Sequence, residues 1–539
     1  MATLEYQPRG RGFEVRLATE RYEVVATGTG LDDSEPAVSG SSELKDNVAL
    51  MALLLGYAAN ELYYRRLRSE EKRKSRREAA DVEHKDARAL ADMVEKLGER
   101  TVREWCSGCF SKAARREVRG AVRPRTYLCA ECGTPTVDCA VPGCSHHAVV
   151  RPRARITLRY CAEHTHAIPG FDKLDMKIPT LGDYRDFLEH EVVNAERLTK
   201  VAGGTIGAAA VIAPMALFAA PAIGAALGGS MIGGSLTGAA ATSHGLAMLG
   251  GGAIATGGLG MAGGTAVVAA TGTAIGGALG ATTASAYTEA DKSFAIELVR
   301  PGVGTPVVFA TGFLTEGRSS WAEWKRIIDT RYPDAPVYQI HWGAKELKDL
   351  TALLASSGVE AAVVALVEQG AKRGSKAFGL PGIGWVLGLY GVATNPWTVA
   401  KTRAGMTGVA LAELIARTQE DAYVLVGHSL GARVMVTAAQ SLGTRPGTPR
   451  IESMHLLGAA VGRKGDWHTL DAAVTGTVWN YYATNDNVLR WLYKLAEIGQ
   501  TATGQAGFTT KFSTIKDRNV SRKVAKHSDY VPKLALEGP

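Results

Sequence analysis

The sequence predicts an α/β protein whose C-terminal half is an α/β-hydrolase domain. Two observations carry this. From about residue 295 onward, short apolar runs alternate with amphipathic helical stretches, the texture of a parallel sheet covered on both faces. Within that region, a Gly-x-Ser-x-Gly pentapeptide stands between an apolar strand and a helix. A third observation sets the rest of the chain apart: seven cysteines lie between Cys106 and Cys161, and residues 201–288 contain no Asp, Glu, Lys or Arg.

The 539 residues, 46% hydrophobic and 21% charged, exclude wholesale disorder and leave room for several domains. Glycine numbers 62, where a typical share of about 7% gives roughly 38. The absence of a Gly-X-Y period excludes collagen. The excess is local, with 22 glycines and 26 alanines falling in 201–288. Charge is local too: eleven Arg or Lys face four acids between Arg103 and Arg159, nearly all of the net +8.

Residues 1–102 are expected to hold a poorly defined lead-in to about residue 40, then helical segments. Leu50, Leu53, Leu54, Tyr57 and Ala58 recur at helical spacing, and the charged run from Arg65 to Arg100 is rich in i,i+4 pairs. That pattern predicts a solvated helix or short coiled coil.

Residues 103–170 form a cysteine-rich module. Its ligand-type residues arrive in pairs, Cys106-x2-Cys109, Cys129-x2-Cys132, Cys139-x4-Cys144 and Cys161-x2-His164. Each pair can grip one edge of a tetrahedral ion, so eight ligands suit two structural zinc ions with no open position for water. Sequential pairing gives one site of four cysteines and one of three cysteines with His164. Cross-braced pairing is the alternative, and His146, His147 and His166 compete for the histidine position. No apolar leader opens the chain, so a cytosolic setting, with clustered cysteines binding metal rather than forming disulfides, is expected.

Residues 171–200 are expected to form an amphipathic linker helix. The uncharged block 201–288 is membrane-compatible: residues 206–227 are long enough to span, although Pro214 and Pro221 interrupt them. Gly224/Gly228, Gly260/Gly264 and Gly272/Gly276/Gly280 give small-xxx-small spacing. Tightly packed helical hairpins buried in protein are the competing reading.

In 289–539, Tyr423–Val426 is the strand leading into Gly427-His428-Ser429-Leu430-Gly431. A turn this tight projects the Ser429 hydroxyl at a helix N-terminus and aims the Leu430 N–H at a developing oxyanion. The serine needs a base and the base an acid, following it in the order Ser, Asp, His. Asp486 follows the apolar strand Val478–Tyr482, whereas Asp466 and Asp471 precede that strand and Asp529 lies beyond the best histidine. His527 comes 41 residues after Asp486. His455 and His468 precede the acid, and His428 sits on the turn facing away from the serine. A second oxyanion donor is expected from Phe313 or Leu314, after the first strand of the domain. The apolar stretch 351–392 reads as a lid, or as packing.

The ordered set ATGFLTEG (310–317), QIHWGAKEL (339–347), Asn395-Pro396-Trp397, GHSLGARV (427–434), HLLGAAVG (455–462), NYYATNDNVLRWLY (480–493) and HSDYV (527–531) resembles a known family. It is the α/β-hydrolase-like family named after the transmembrane-and-coiled-coil-domain protein, matched over about 200–539. The resemblance implies a hydrolase using Ser429, Asp486 and His527, a membrane-spanning role for the Gly/Ala block, and lipid as substrate. Many members read GYSLG where this chain has GHSLG.

Together these readings predict a serine esterase of lipase or phospholipase type, on the cytoplasmic side and membrane-associated, acting on lipid esters. The zinc module is expected to serve a protein partner, and nucleic acid is not an expected partner. The alternative is a membrane-inserting or pore-forming protein with a non-catalytic hydrolase scaffold, regulated by that module.

Overall fold

A computed structural model describes residues 1–29, 36–67, 70–120, 125–153, 159–202, 284–312 (except 286, 289 and 290), 321–343, 396–443, 448–463, 467–496 and 501–538 (except 510). The Gly/Ala block apart from its ends, the 351–392 stretch and Phe313 and Leu314 lie outside them. The described chain is mixed α/β with several sheets and divides into two compact units.

The first unit comprises Met1–Leu174 and residues 190–202. Its opening segment is a four-stranded antiparallel meander, β1 (Thr3–Arg9), β2 (Gly12–Ala18), β3 (Glu23–Gly28) and β4 (Ala37–Gly40), in place of the expected lead-in. The cause is period-two alternation: Phe13, Val15 and Leu17 on β2, and Val24 and Ala26 on β3, are buried on one face. Helix α1 (Val48–Arg66) starts at Asn47, whose side chain accepts the Leu50 N–H at 2.9 Å. Its Leu50, Leu54, Tyr57 and Leu62 join α2 (Glu70–Glu95) and the sheet in one core. The charged run is thus one arm of a helical hairpin. Arg73 and Arg76 lie over the Tyr64 and Tyr63 rings, each 4.8 Å from the centroid.

Inside the hairpin, burial pushes the Glu83 carboxyl up to about 7, against the Asn60 amide (2.7 Å) and Arg76, which lower it. Its folded pKa exceeds its unfolded value, so the folded state holds an extra proton between them. Stability therefore falls as pH rises from about 4.5 to about 7. We expect Glu83→Gln to flatten the decline in thermal midpoint between these values and to stabilise the chain at alkaline pH, by about 1–3 kcal/mol. An unchanged pH profile in a scanning calorimeter would remove Glu83 as its source.

The unit continues into a five-stranded antiparallel sheet, β5 (Leu97–Trp105), β6 (Lys112–Val118), β7 (Thr126–Cys129), β8 (Pro135–Asp138) and β9 (His147–Val149). β5 runs across the expected boundary at 102/103. The expected single helix over 171–200 is instead broken into Leu181–Asp183, Tyr184–Leu188 and Ala195–Ala202. Thr180 and Asp183 cap the first piece reciprocally, and Asn194 restarts the chain by accepting the Arg197 N–H at 2.8 Å. The unit boundaries fall inside this segment, with 175–189 belonging to the second unit.

The second unit is built on a seven-stranded sheet of order β10-β12-β11-β13-β14-β15-β16. These strands are β10 (Ala295–Arg300), β11 (Val307–Ala310), β12 (Val337–His341), β13 (Ala422–His428), β14 (Arg450–Leu457), β15 (Val474–Tyr482) and β16 (Ile515–Asn519). Only β10 is antiparallel to its neighbour. β11 and β13 are buried almost throughout, as central parallel strands must be. Helices α3 (Trp321–Asp329), α4 (Pro396–Arg417), α5 (Leu430–Gly443), α6 (Asn487–Ala496) and α7 (Tyr530–Lys533) complete the α/β alternation. The chain passes from β11 to β12 on one side, then returns to β13 on the other. The strand order reverses there, beyond the carboxyl ends of β11 and β13, the position at which open α/β sheets bind ligands.

Candidate active site and metal centres

Ser429 stands at that reversal point, between the end of β13 and the start of α5. Its φ is +59°, a strained value for a residue with a side chain, which turns the hydroxyl out of the strand line. The turn needs glycine at close approaches, two of which tie it to the loop after β11. A Cβ on Gly431 would lie 2.2 Å from the Ala310 carbonyl oxygen, and one on Gly312 would lie 2.5 Å from the Ser429 Cβ and 2.8 Å from the Leu430 nitrogen. The loop after β11 is thereby pressed against the Ser429 turn, with the Leu430 N–H at the first residue of α5. Phe313 and Leu314 lie outside the described residues.

His527 opens a short 3-10 turn at the C-terminus, and its Nε2 is 2.8 Å from Ser429 Oγ. Its Nδ1 is 2.7 Å from Asp486 Oδ2. Asp486 follows β15 and precedes α6, where its Oδ1 accepts the Leu489 N–H at 3.1 Å. All three residues are at most 2% exposed. Burial alone would push the Asp486 carboxyl up; the facing His527 and the Leu489 N–H outweigh it and hold the group below its ordinary value. The carboxylate thus stays ionised and fixes the proton of His527 on Nδ1, leaving Nε2 to accept from the serine.

Two neighbours make contacts that the sequence did not indicate. The Tyr530 hydroxyl donates to Asp486 Oδ2 at 3.3 Å and to the Gly504 carbonyl at 3.1 Å. Burial, together with the Asp486 charge, raises its pKa and keeps it a donor. His428 points away from the serine, as its place on the turn requires, and its Nε2 donates to the His527 carbonyl at 2.9 Å. Burial, reinforced by His527, pushes His428 down to about 3, so it stays neutral and adds no charge beside His527. The HSDYV string carried the Tyr530 signal; nothing local to His428 indicated its partner. Among the alternatives, His455 is held between Tyr332 (2.8 Å) and Tyr481 (3.1 Å), Asp471 accepts from Thr514 (2.6 Å), and Asp529 accepts from the Ala525 and Lys526 amides (both 3.0 Å).

In the first unit, the ligand atoms of Cys106, Cys109, Cys129 and Cys132 lie within 4.8 Å of one another, as do those of Cys139, Cys144, Cys161 and His164. The grouping is sequential. All seven cysteines are free thiols. Cys106–Cys132 and Cys109–Cys129 sulfur separations are 3.9 and 3.8 Å, and Cys144–Cys161 is 3.9 Å. These match the edge of a tetrahedron with metal–sulfur bonds of about 2.3 Å. His164 faces the second group through Nδ1, 3.7 Å from Cys139 and 3.2 Å from Cys161. His146 instead faces Glu163 (3.4 Å), His147 faces Asp138 (3.5 Å), and His166 faces the Val192 carbonyl (2.7 Å). Both groups could hold a metal ion. Backbone N–H groups of Gly108 and Cys161 donate to Cys106 and Cys139 sulfur at 3.3 and 3.4 Å, which favours thiolates there.

The fold and site define a mixed α/β protein with a buried Ser–His–Asp hydrogen-bond chain at a sheet reversal point. The chain belongs to the family described as "Protein of unknown function (DUF726)", whose model matches residues 194–536. It is 32% identical over 160 residues to "Uncharacterized membrane protein F35D11.3" of Caenorhabditis elegans, covering 28% of this chain and 26% of the relative. It is 30% identical over 152 residues to "Uncharacterized membrane protein C6F6.13c" of Schizosaccharomyces pombe, covering 27% and 26%. It is 32% identical over 149 residues to "Probable lipase MIL1" of Saccharomyces cerevisiae, covering 26% and 14%. The chain thus matches about a quarter or less of the length of each relative. No solved structure matches it. Among the described residues, no helix is long and apolar enough to cross a membrane.

Proposed function

We propose that the chain is a serine ester hydrolase of lipase or phospholipase type, acting on membrane lipid esters with Ser429 as nucleophile, His527 as general base and Asp486 as the orienting acid. The single observation that carries this reading is the hydrogen-bond chain Ser429 Oγ to His527 Nε2 (2.8 Å) and His527 Nδ1 to Asp486 (2.7 Å), set on a strained turn. The strand order, with its antiparallel β10, supports an α/β-hydrolase domain. The relative named a probable lipase and those named membrane proteins support lipid as the substrate class. We read the family as the one named after the transmembrane-and-coiled-coil-domain protein, with the 201–288 block associating with the membrane from its cytoplasmic side.

In this mechanism Ser429 Oγ adds to the ester carbonyl while its proton passes to His527 Nε2. The oxyanion develops beside the Leu430 N–H, at the positive end of α5, with the second donor from Phe313 or Leu314. Collapse expels the alcohol, which takes the proton from His527, and leaves an acyl-serine. Water then adds, again losing its proton to His527. The second collapse releases the carboxylic acid and returns the proton to Ser429.

The cysteine groups fit two zinc ions, held by Cys106, Cys109, Cys129 and Cys132, and by Cys139, Cys144, Cys161 and His164. Each ion would supply structural cross-linking with no open position for water. We assign their module a protein-binding role.

A fluorophosphonate probe tests the enzyme reading. Wild-type protein in lipid-containing buffer is expected to label at Ser429, and Ser429→Ala to lose the label entirely. An unlabelled wild type would overturn the assignment.

A further inference from the structure

The segment that delivers His527 is strongly basic. Between Lys511 and Lys533 stand seven Lys or Arg against two acids, Asp517 and Asp529. Both acids are engaged. Asp517 accepts from Asn480 Nδ2 at 2.7 Å and from the Phe508 N–H at 3.0 Å. Asp529 accepts the Ala525 and Lys526 amides, each at 3.0 Å, and Lys533 Nζ at 2.8 Å. Arg518 pairs with Glu537 at 3.7 Å. Lys516, Arg522, Lys523 and Lys526 are exposed, and none forms an ion pair among the described residues.

Their place in the fold gives this charge its meaning. β13, β14, β15 and β16 are parallel, so residues 520–526, which follow β16, lie beyond the same sheet end as Ser429. The loop carrying Asp486 leaves β15 at that end and is bonded to this basic loop. The Thr484 N–H donates to Ser521 Oγ at 2.9 Å, and Asn485 Nδ2 donates to the Val524 carbonyl at 3.1 Å. Arg490, exposed on α6, rests its guanidinium on the Thr484 carbonyl at 2.7 Å. Cations therefore crowd the two loops that bring Asp486 and His527 to the serine, with no free acid among the described residues of those loops. Exposed charges of one sign, spread along a rim, are weak against a single small ion in salt. They act together against a surface that presents many negative charges at once.

We infer that this rim docks on an anionic phospholipid bilayer, so that the ester reaching Ser429 is drawn from a negatively charged lipid layer. The inference rests on the lipase reading for the fate of the ester, and on the charge pattern alone for the docking.

Hydrogen–deuterium exchange on the full chain tests it, with phosphatidylcholine vesicles alone and with about 30 mol% phosphatidylserine. Peptides covering 515–529 are expected to gain protection only with the anionic vesicles, and to lose it when salt rises from about 0.1 M to about 0.5 M. Arg522→Gln/Lys523→Gln/Lys526→Gln should weaken that protection's apparent affinity by on the order of 100-fold, about fivefold per charge. Arg522→Lys/Lys523→Arg/Lys526→Arg should retain it, which separates lost charge from lost folding. Equal protection by both vesicle types, or none in 515–529 while the chain is vesicle-bound, overturns the proposal. Equal protection by duplex DNA would make the rim a polyanion site and overturn it as well. Ser429→Ala is expected to dock like the wild type. A chain that docks but never takes the fluorophosphonate sinks the hydrolase reading alone, and one that is labelled but shows no anionic preference sinks the docking alone.

Discussion

Asp486→Asn is expected to lower kcat on an ester substrate by about 10⁴-fold while leaving the fold intact. The size follows from which groups face the carboxylate. His527 Nδ1, the Tyr530 hydroxyl and the Leu489 N–H all donate to it, at 2.7, 3.3 and 3.1 Å. Asparagine keeps one acceptor oxygen and turns the other position into a donor. If the new NH2 faces His527, the ring must shed its Nδ1 proton and carry it on Nε2, where it confronts Ser429 as a donor and cannot take the serine's proton. If the amide flips, the NH2 meets the Leu489 N–H and the start of α6 loses its cap. The first arrangement removes the base without removing the serine, and the second keeps the tautomer but loses both the charge that stabilises a protonated His527 and the helix cap. Tyr530→Phe, which deletes one donor and leaves the charge, should cost only about tenfold. Stability carries a second signature. The folded Asp486 pKa is lowered, so its contribution is fully present above the unfolded carboxylate value near ~3.9 and is lost as pH falls through the folded one. Acid unfolding of the asparagine variant should therefore be shallower in that range. Single-turnover acylation, measured alongside an acid titration of circular dichroism, checks both. A kcat within tenfold of wild type would dismiss Asp486 from this role.

How much of this was visible in the chain depends on how local each signal is. Ser429 could be read because the turn's demands, an apolar strand before it and glycine two residues after it, are written in adjacent positions. Asp486 and His527 followed from strand ends and chain order. The cysteine pairs were legible because each sets two potential metal ligands within a few residues. The opening meander was not: on β1–β3 the apolar residues alternate with Arg and Glu, and so resemble a polar lead-in until the strands pair. β16 has one buried residue, Ile515, and then Lys516, Asp517 and Arg518. Its place in the sheet comes from pairing with β15, information that sits elsewhere in the sequence. The same is true of His428 and Tyr530, whose partners lie 99 and 44 residues away. The 171–200 helix was overpredicted because amphipathic spacing continues through the segment while Thr180, Asp183 and Asn194 cap it into pieces.

Loss of a metal site is expected to open the strands and turns that carry its own ligands, the largest stability effect in the chain. Three of the β5–β9 strands have only three or four residues, and the buried cluster around the first site consists of Cys106, Cys129 and Cys132 with only Ala113 added from outside the ligand set. Such a cluster buries little apolar area, so ligand–metal bonds must supply what hydrophobic burial does not. Structural zinc contributes an apparent 10–16 kcal/mol at neutral pH, as much as or more than the roughly 5–15 kcal/mol that holds a typical domain folded. The effect should spread beyond the sheet. The Ala49 N–H donates to the Cys132 carbonyl at 3.0 Å, so a collapsed first site frees the opening turn of α1. Two zinc equivalents per chain are expected by elemental analysis. Cys106→Ser and Cys132→Ser should each remove the same ion and expose 103–134 to protease, whereas Cys161→Ser should remove the other. The pairing is the discriminating point. With the ligands of Cys106, Cys109, Cys129 and Cys132 gathered within 4.8 Å, Cys106→Ser cannot disturb the ion held by Cys139 and His164 except through general unfolding. Elemental analysis of Cys106→Ser/Cys132→Ser should therefore match either single variant, with one ion left. A count of zero in the double and one in each single would mean the two cysteines serve different ions and would reject the sequential grouping.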